Sequence, residues 1–272
     1  MSEPGRIGIV VCGAAGRMGR LLVGLARDDT GLRVAGAIEA PGHAAIGRDA
    51  GEVAGGGPIG VELTTDLAAA CRADDVVLDF TGVPAAALAH ARLAAELGAG
   101  LVIGTTGFDA AQDADLRVTA GRTRSVIAAN YSVGVTVLSE LVATAARLLD
   151  ASFEAEIVEL HHHGKKDAPS GTALALGQAL AGARGQDFAR ARVLAREGIV
   201  GPRRPGEIGI VGLRAGDAVG DHTVLFGGLG ERLELTHRAQ SRECLVRGAL
   251  RAARWVAARP AGVFSMRDVL GL

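Results

Sequence analysis

Val11-Cys12-Gly13-Ala14-Ala15-Gly16-Arg17-Met18-Gly19 follows the apolar run Ile7–Cys12 and leads into a helical stretch at Arg17–Asp28. A strand passing through a glycine-rich turn into a helix is the context in which a dinucleotide binds. Glycine lets the backbone turn sharply and approach a pyrophosphate, while the helix N-terminus offers free N–H groups and the positive end of its dipole. Gly13, Ala14, Ala15, Gly16, Arg17 and Met18 are the candidate cofactor loop, and Gly19 allows the helix to pack closely on the sheet. The spacing departs from G-x-G-x-x-G, with Ala15 at the second position and Gly16 after it. Taken alone, it also fits an ordinary tight strand-to-helix turn. Glu39 adds weight, because it ends the next apolar run twenty positions beyond Gly19. An acid there can accept hydrogen bonds from the ribose hydroxyls.

Outward from this loop, short apolar runs alternate with helical stretches. Leu32–Ile38, Val76–Phe80, Leu101–Gly104 and Ser125–Ala128 read as further strands, and Ala85–Leu97 and Ala110–Gly121 as further helices. Such alternation predicts an α/β domain, a Rossmann-like parallel sheet with helices on its faces. Gly104-Thr105-Thr106 and Ala128-Ala129-Asn130-Tyr131 fall where strands end, the side on which ligands bind in such sheets. His43–Pro58 reads as a loop. After Asn130 the texture becomes α+β. A helix at Val133–Leu149, a strand at Phe153–Leu160 and a helix from about Ser170 precede strands at Arg192–Ala195, Ile208–Arg214, His222–Gly227 and Arg232–Arg238. Hairpin-like turns are expected at Ala215-Gly216-Asp217 and Gly227–Gly230. The expected division is a dinucleotide-binding domain over 1–130, with 241–272 (helix Glu243–Ala258) returning to it, and a second domain with a mixed open sheet over 131–240.

Composition narrows the class. The chain has 272 residues, enough for two packed domains, and only eight aromatic ones, so Val, Ile, Leu and Ala must build the core. A net charge of −1 argues against a nucleic-acid partner. Cys12, Cys71 and Cys244 show neither disulfide nor metal spacing, which suits a reducing cytoplasm. No signal-like start and no apolar stretch near the ~18 residues of a membrane span is evident.

The densest polar cluster is Glu159-Leu160-His161-His162-His163-Gly164-Lys165-Lys166-Asp167-Ala168-Pro169-Ser170-Gly171-Thr172. Three histidines invite a metal, but adjacent residues on an extended chain point to opposite faces, and no H-x-x-x-H or cysteine partner accompanies them. A chemical reading fits better than either a metal site or a solvated basic loop. His161 exchanges protons near neutrality, Lys165 is a cation or proton donor, and Pro169-Ser170-Gly171-Thr172 opens a helix whose N–H groups favour an anion. That combination suits a small carboxylate substrate that must be protonated. Arg214 and Arg238 are further candidates to hold carboxylates.

The run E-I-V-E-L-H-x-x-x-K-K-D-A-P-S-G-T-A, with G-A-A-G-R-M-G, I-G-T-T-G-F, A-A-N-Y-S-V-G-V, R-A-G-D-x-V-G-D-H-T-V and the closing M-R-D-V-L, resembles the 4-hydroxy-tetrahydrodipicolinate (dihydrodipicolinate) reductase family from Ile9 to Leu270. The resemblance implies NAD(P)H-dependent hydride transfer to a cyclic dicarboxylate with loss of water, in lysine and diaminopimelate biosynthesis, in a cleft between the domains. It implies His161 and Lys165 as catalytic residues, and His162, Gly171 and Thr172 as substrate contacts. Gly13–Met18, Glu39, Gly104–Thr106 and Ala128–Tyr131 then contact the cofactor. It also implies a homotetramer built through the second domain's sheet. The chain departs from many relatives at Ala40 and Gly82, where a basic residue could pair a 2′-phosphate, and at His163-Gly164 and Tyr131. NADH is therefore the expected cofactor, with NADPH left open. An aspartate-type amino-acid dehydrogenase and a non-catalytic dinucleotide sensor remain as alternatives.

Overall fold

The computed structural model describes residues 5–272. They divide into two compact units, one built from the chain up to Ser132 together with Glu243–Leu272, the other from Val133–Arg242. The first unit begins β1 (Ile7–Cys12), α1 (Arg17–Arg27), β2 (Leu32–Ile38), α2 (Ala50–Val53), β3 (Leu63–Thr64), α3 (Leu67–Ala70), β4 (Val76–Asp79), α4 (Pro84–Leu97), β5 (Gly100–Ile103), α5 (Ala110–Ala120) and β6 (Arg124–Ile127). The second contains α6 (Val133–Leu148), β7 (Glu154–His161), α7 (Gly171–Ala183), α8 (Phe188–Ala191), β8 (Arg192–Val193), β9 (Ile208–Arg214), β10 (Gly220–Gly228) and β11 (Glu231–Ala239). The chain then returns to the first unit with α9 (Glu243–Ala257), β12 (Gly262–Phe264) and α10 (Met266–Leu270).

The first unit is a seven-stranded parallel sheet in the order β12-β6-β5-β4-β1-β2-β3, the Rossmann-like arrangement. Its central strands are apolar apart from Asp79 at the end of β4, because helices cover both faces. Ile9, Val10, Val11, Val76, Val77, Leu78, Leu101, Val102 and Ile103 are all fully buried. Local signals set the helix ends. Pro84 starts α4 and Gly98, at φ +73°, ends it, while Asp109 and Gln112 form a capping box on α5. α9 buries Val246, Ala249, Leu250, Ala252, Ala253 and Val256 along one stripe.

The second unit is a mixed sheet, β11-β10-β7-β9-β8, with β10 antiparallel to β7 and β11, and β9 parallel to β7 and β8. α6 and α7 cover one face, and the core joins Leu138, Val142, Ile157, Leu176, Leu180, Ile210, Val224 and Phe226.

Some expectations need correction. The turn at Ala215-Gly216-Asp217 does not make a hairpin, since β7 lies between β9 and β10 and pairs with both. A turn signal marks a reversal of the chain; it does not say to which edge the next strand adds. The Gly227–Gly230 turn does join paired antiparallel strands, with Gly228 opposite Glu231. The 43–58 segment contains α2, organised by Asp49, whose carboxylate accepts from the amides of Gly51, Glu52, Ile59 and Gly60. Among the described residues no helix is long and apolar enough to cross a membrane.

Candidate active site

Parallel pairing brings the C-terminal ends of β1, β2, β4, β5 and β6 to one edge of the first sheet, so the turns that follow them gather there. The strand order reverses between β1 and β4, the place where a crevice for ligand opens in such sheets. Gly13 leaves β1 at φ +77°, a conformation that costs glycine little. The amides of Gly13 and Ala14 donate to the Ile38 carbonyl at 2.9 and 3.1 Å, which pins the loop over the end of β2. Helix α1 starts at once, with Gly16 as its N-cap. A Cβ at Gly19 would lie 2.1 Å from the Gly13 oxygen and 2.6 Å from Ala14 Cα. Gly19→Ala must therefore push the loop off its position. A dinucleotide affinity lower by about tenfold or more is expected, from about 1–3 kcal/mol of overpacking, as read by NADH fluorescence titration.

Glu39 is half-buried beside this loop, accepting from Ala15 N at 2.9 Å and Ala40 N at 3.0 Å. Each carboxylate oxygen keeps capacity for a hydroxyl donor. Arg17 and Gly16 are exposed at the start of α1, and Met18 is half-buried. These residues fit a pyrophosphate and a ribose: glycine where a side chain would close the loop, a helix N-terminus, and an oriented acid.

At the ends of β4 and β5 the organising group is Asp79, a carboxylate with no exposed surface. It accepts from Thr81 Oγ1 at 3.0 Å and Thr105 Oγ1 at 2.5 Å, and sits 2.6 Å from His90 Nδ1. Thr105 Oγ1 in turn accepts from Gly82 N at 3.0 Å. One buried acid thus ties the turn after β4 to the Gly104–Thr106 turn, leaving Thr106 exposed. Cys12, Asp79 and His90 place three ligand-type atoms within 4.8 Å of one another. Asp79 spends its oxygens on protein donors, and burial above all pushes the Cys12 thiol well above its usual range, so a hydrogen-bonded Asp79–His90 pair beside a buried thiol describes the trio. After β6, Ala128 and Asn130 are half-buried and Ala129 is exposed; Asn130 Oδ1 accepts from Ser132 N at 2.8 Å. Tyr131 is buried, its phenol 2.9 Å from the carbonyls of both Ile103 and Val126, so its side chain supports the two strand ends.

In the second unit β7 carries Glu159 and His161 on the same, buried face, two residues apart. His161 Nδ1 lies 2.5 Å from Glu159 Oε2. The following loop is held by backbone bonds to the turn after β9: His162 N to Ala218 O at 2.7 Å, His163 N to Gly216 O at 3.1 Å, and Ala215 N to His161 O at 3.0 Å. Lys165, about one-fifth exposed, donates to Asp167 at 2.8 Å and holds that carboxyl below its usual range. Partial burial first, then the nearby Arg242 cation, push the His162 imidazole down. Arg242 is a neighbour of the loop that sequence reasoning missed, and no motif announced it. Ser170 caps α7, its hydroxyl accepting from Ala173 N at 3.2 Å. Gly171 is exposed with open space where a side chain would be, and Thr172 is half-buried beside it. His161, His162, Lys165 and the start of α7 thus belong to one connected loop system. Arg214, a candidate carboxylate clamp in the sequence, is committed to Glu159 Oε2 at 2.9 Å and to the Asp167 carbonyl. Arg238 is exposed, 3.6 Å from Asp221.

His222 is buried against this system, with Nε2 3.0 Å from Ser170 Oγ and its ring edge-on to His161 at 5.2 Å. Burial, then the His161 charge, push its pKa down to about 4, against an opposing pull from Glu159. The unfolded chain therefore takes up a proton near pH 6.5 that the folded chain refuses until near pH 4, so stability falls as pH drops through that window. The full loss is about 3 kcal/mol. Urea unfolding of wild type against His222→Asn should show the variant with the flatter dependence; equal slopes would refute this.

Known proteins match both units of the chain. Residues 7–131 match the family model for the N-terminus of dihydrodipicolinate reductase, and residues 134–270 match that for its C-terminus. The chain is 53% identical to 4-hydroxy-tetrahydrodipicolinate reductase of Anaeromyxobacter sp. (strain Fw109-5), over 98% of each chain. It is 49% identical to the enzyme of that name from Syntrophobacter fumaroxidans, over 96% of this chain and 98% of the relative. In fold it is similar to a dipicolinate-bound dihydrodipicolinate reductase from Paenisporosarcina sp. TG-14, with a TM-score of 0.73 at 22% identity, covering 97% of this chain and 98% of that one. The chain belongs to the dihydrodipicolinate reductase family.

Proposed function

We propose that this protein reduces 4-hydroxy-tetrahydrodipicolinate to tetrahydrodipicolinate, consuming one NAD(P)H and one proton and releasing water, in lysine and diaminopimelate biosynthesis. The observation that carries the reading is the connected system of His161, Lys165 and the capped start of α7. In support, His161 ends β7, Lys165 lies in the loop that follows and α7 begins at the end of that loop, a set suited to handling protons beside an anion. The first unit holds the dinucleotide through Gly13–Met18, Glu39, Gly104–Thr106 and Ala128–Tyr131, and the second binds the substrate. Bound NAD(P)H supplies the hydride. Lys165 exchanges Asp167 for the substrate and assists departure of the hydroxyl. His161 stabilises and protonates the electron-rich ring left by reduction. His162 and the N–H groups of Gly171 and Thr172 take the carboxylates.

NADH is the preferred reductant, because the Glu39 carboxylate would repel a 2′-phosphate and neither Ala40 nor Gly82 supplies a cation to pair it. Catalytic efficiency several-fold higher with NADH than with NADPH is expected from initial rates, and parity would refute the preference. The enzyme is cytoplasmic and a homotetramer formed through the second sheet. In support, that sheet's face away from α6 and α7 exposes Val211 and Leu213 beside half-buried Val158, Leu160 and Leu225.

Single-turnover mixing with freshly generated substrate tests the function. Loss of NADH absorbance with this substrate, and no formation of NADH from NAD+ with aspartate, is the expected result. Turnover of aspartate would favour an amino-acid dehydrogenase, and cofactor binding without any turnover a sensor.

A further inference from the structure

Glu159 occupies a fully buried position on β7, yet the proposed reaction gives it no task. An ionised carboxylate there, cut off from water, must be satisfied by the protein. Three groups do so. Oε2 lies 2.5 Å from His161 Nδ1 and accepts from Arg214 Nη1 at 2.9 Å, while Oε1 accepts from Ser170 N at 3.1 Å. Burial alone would raise its pKa, but the hydrogen bonds from Arg214 and His161 outweigh it and hold the group below the ordinary glutamate range.

An ionised carboxylate can only accept. Nδ1 of His161 must therefore carry a proton, whichever charge state the ring has, and the atom left to exchange protons is Nε2. The environment of Nε2 agrees. A Cβ at residue 220 would stand 2.9 Å from Nε2, so Gly220 keeps that edge of the ring unobstructed. The edge-on ring of His222, 5.2 Å away, limits rotation of the imidazole about its own axis. The same carboxylate reaches Ser170, the cap of α7, so it sets the imidazole and the start of that helix relative to one another.

We infer that Glu159 is the positioning residue of this site, fixing His161 as the Nδ1–H form with Nε2 turned to the reacting ligand while anchoring the substrate-binding end of α7. Arg214 is its counter-ion rather than a substrate clamp. The proposal rests on His161 being the proton-exchanging group of the function proposed above.

The test is ¹⁵N NMR of histidine-labelled full-length enzyme at a pH where imidazoles are neutral, with the His161 signals assigned by their loss in His161→Asn. Wild type should show an Nδ1-bound proton shifted downfield by the carboxylate, and Glu159→Gln should lose both the shift and the single tautomer. In steady-state assays Glu159→Gln should lower kcat by about 10- to 100-fold, with KM for NADH unchanged. Gly220→Ala should lower kcat while keeping the Nδ1–H signal. An Nε2–H tautomer in wild type overturns the proposal, and so does a Glu159→Gln enzyme with wild-type kcat and tautomer. If that variant fails to fold, the wild-type spectrum and Gly220→Ala still decide. The spectrum needs no substrate, so an enzyme lacking the proposed reductase activity but showing the Nδ1–H signature would count against the function and not against the tautomer.

Discussion

His161→Ala and Lys165→Ala are each expected to lower turnover by about 10²–10⁴-fold, the usual cost of removing a positioned proton donor. NADH affinity should barely move, since neither residue belongs to the unit that carries the glycine loop. The two variants should differ in detail. Lys165 is about one-fifth exposed and paired with Asp167, so its loss releases a surface carboxylate and should leave stability nearly intact. His161 is buried against Glu159, so its loss leaves the carboxylate with one partner fewer, and a modest fall in stability should accompany the fall in rate. Stopped-flow reduction separates chemistry from binding. If either variant turned over at a near-native rate, its assigned role would be wrong.

Asp79→Ala is expected to cost about 3–5 kcal/mol of stability, as removing one partner of a buried charged network usually does. The loss strands His90 Nδ1 and the hydroxyls of Thr81 and Thr105, all of which converge on that carboxylate. A domain of this kind has only about 5–15 kcal/mol in hand. Thermal unfolding followed by circular dichroism should fall by on the order of 10 °C. Because Asp79 also sets the Gly104–Thr106 turn through Thr105, the folded fraction should bind NADH more weakly than wild type. Asp79→Asn keeps an acceptor and should lose less on both counts. An alanine variant as stable as wild type would mean that these hydrogen bonds are made without net gain.

What could be read from the sequence follows from how local each signal is. β1, β4 and β5 are apolar runs up to Asp79 at the end of β4, and β2 and β6 break theirs only with Arg33 and with Arg124-Ser125, because both faces of a parallel sheet are covered; that pattern needs no partner to be recognised. The glycine loop and the 159–172 segment were legible for the same reason, since each motif is contiguous. β12 was not legible, being three residues long with Gly262 at its start and held by pairing with β6 and by Phe264 edge-on to Trp255 of α9. The insertion of β7 between β9 and β10 was equally hidden, because pairing partners are a property of the whole sheet. The Asp79 network joins residues 79, 81, 90 and 105, and no spacing rule links a strand end to a helix residue and a loop threonine. Glu159 stood in plain view inside the motif, yet its role depends on Arg214 and Ser170, one of them 55 positions away. Arg242 lies beside His162 only because the chain returns past β11.

Isotope transfer from NADH deuterated at the nicotinamide C4 tests the reductase reading most directly. With freshly generated 4-hydroxy-tetrahydrodipicolinate, one deuterium should appear on a ring carbon of the product as the hydroxyl is lost, and His161→Ala should slow the labelling by the same factor as turnover. A product without deuterium, or one that keeps its hydroxyl, would contradict it.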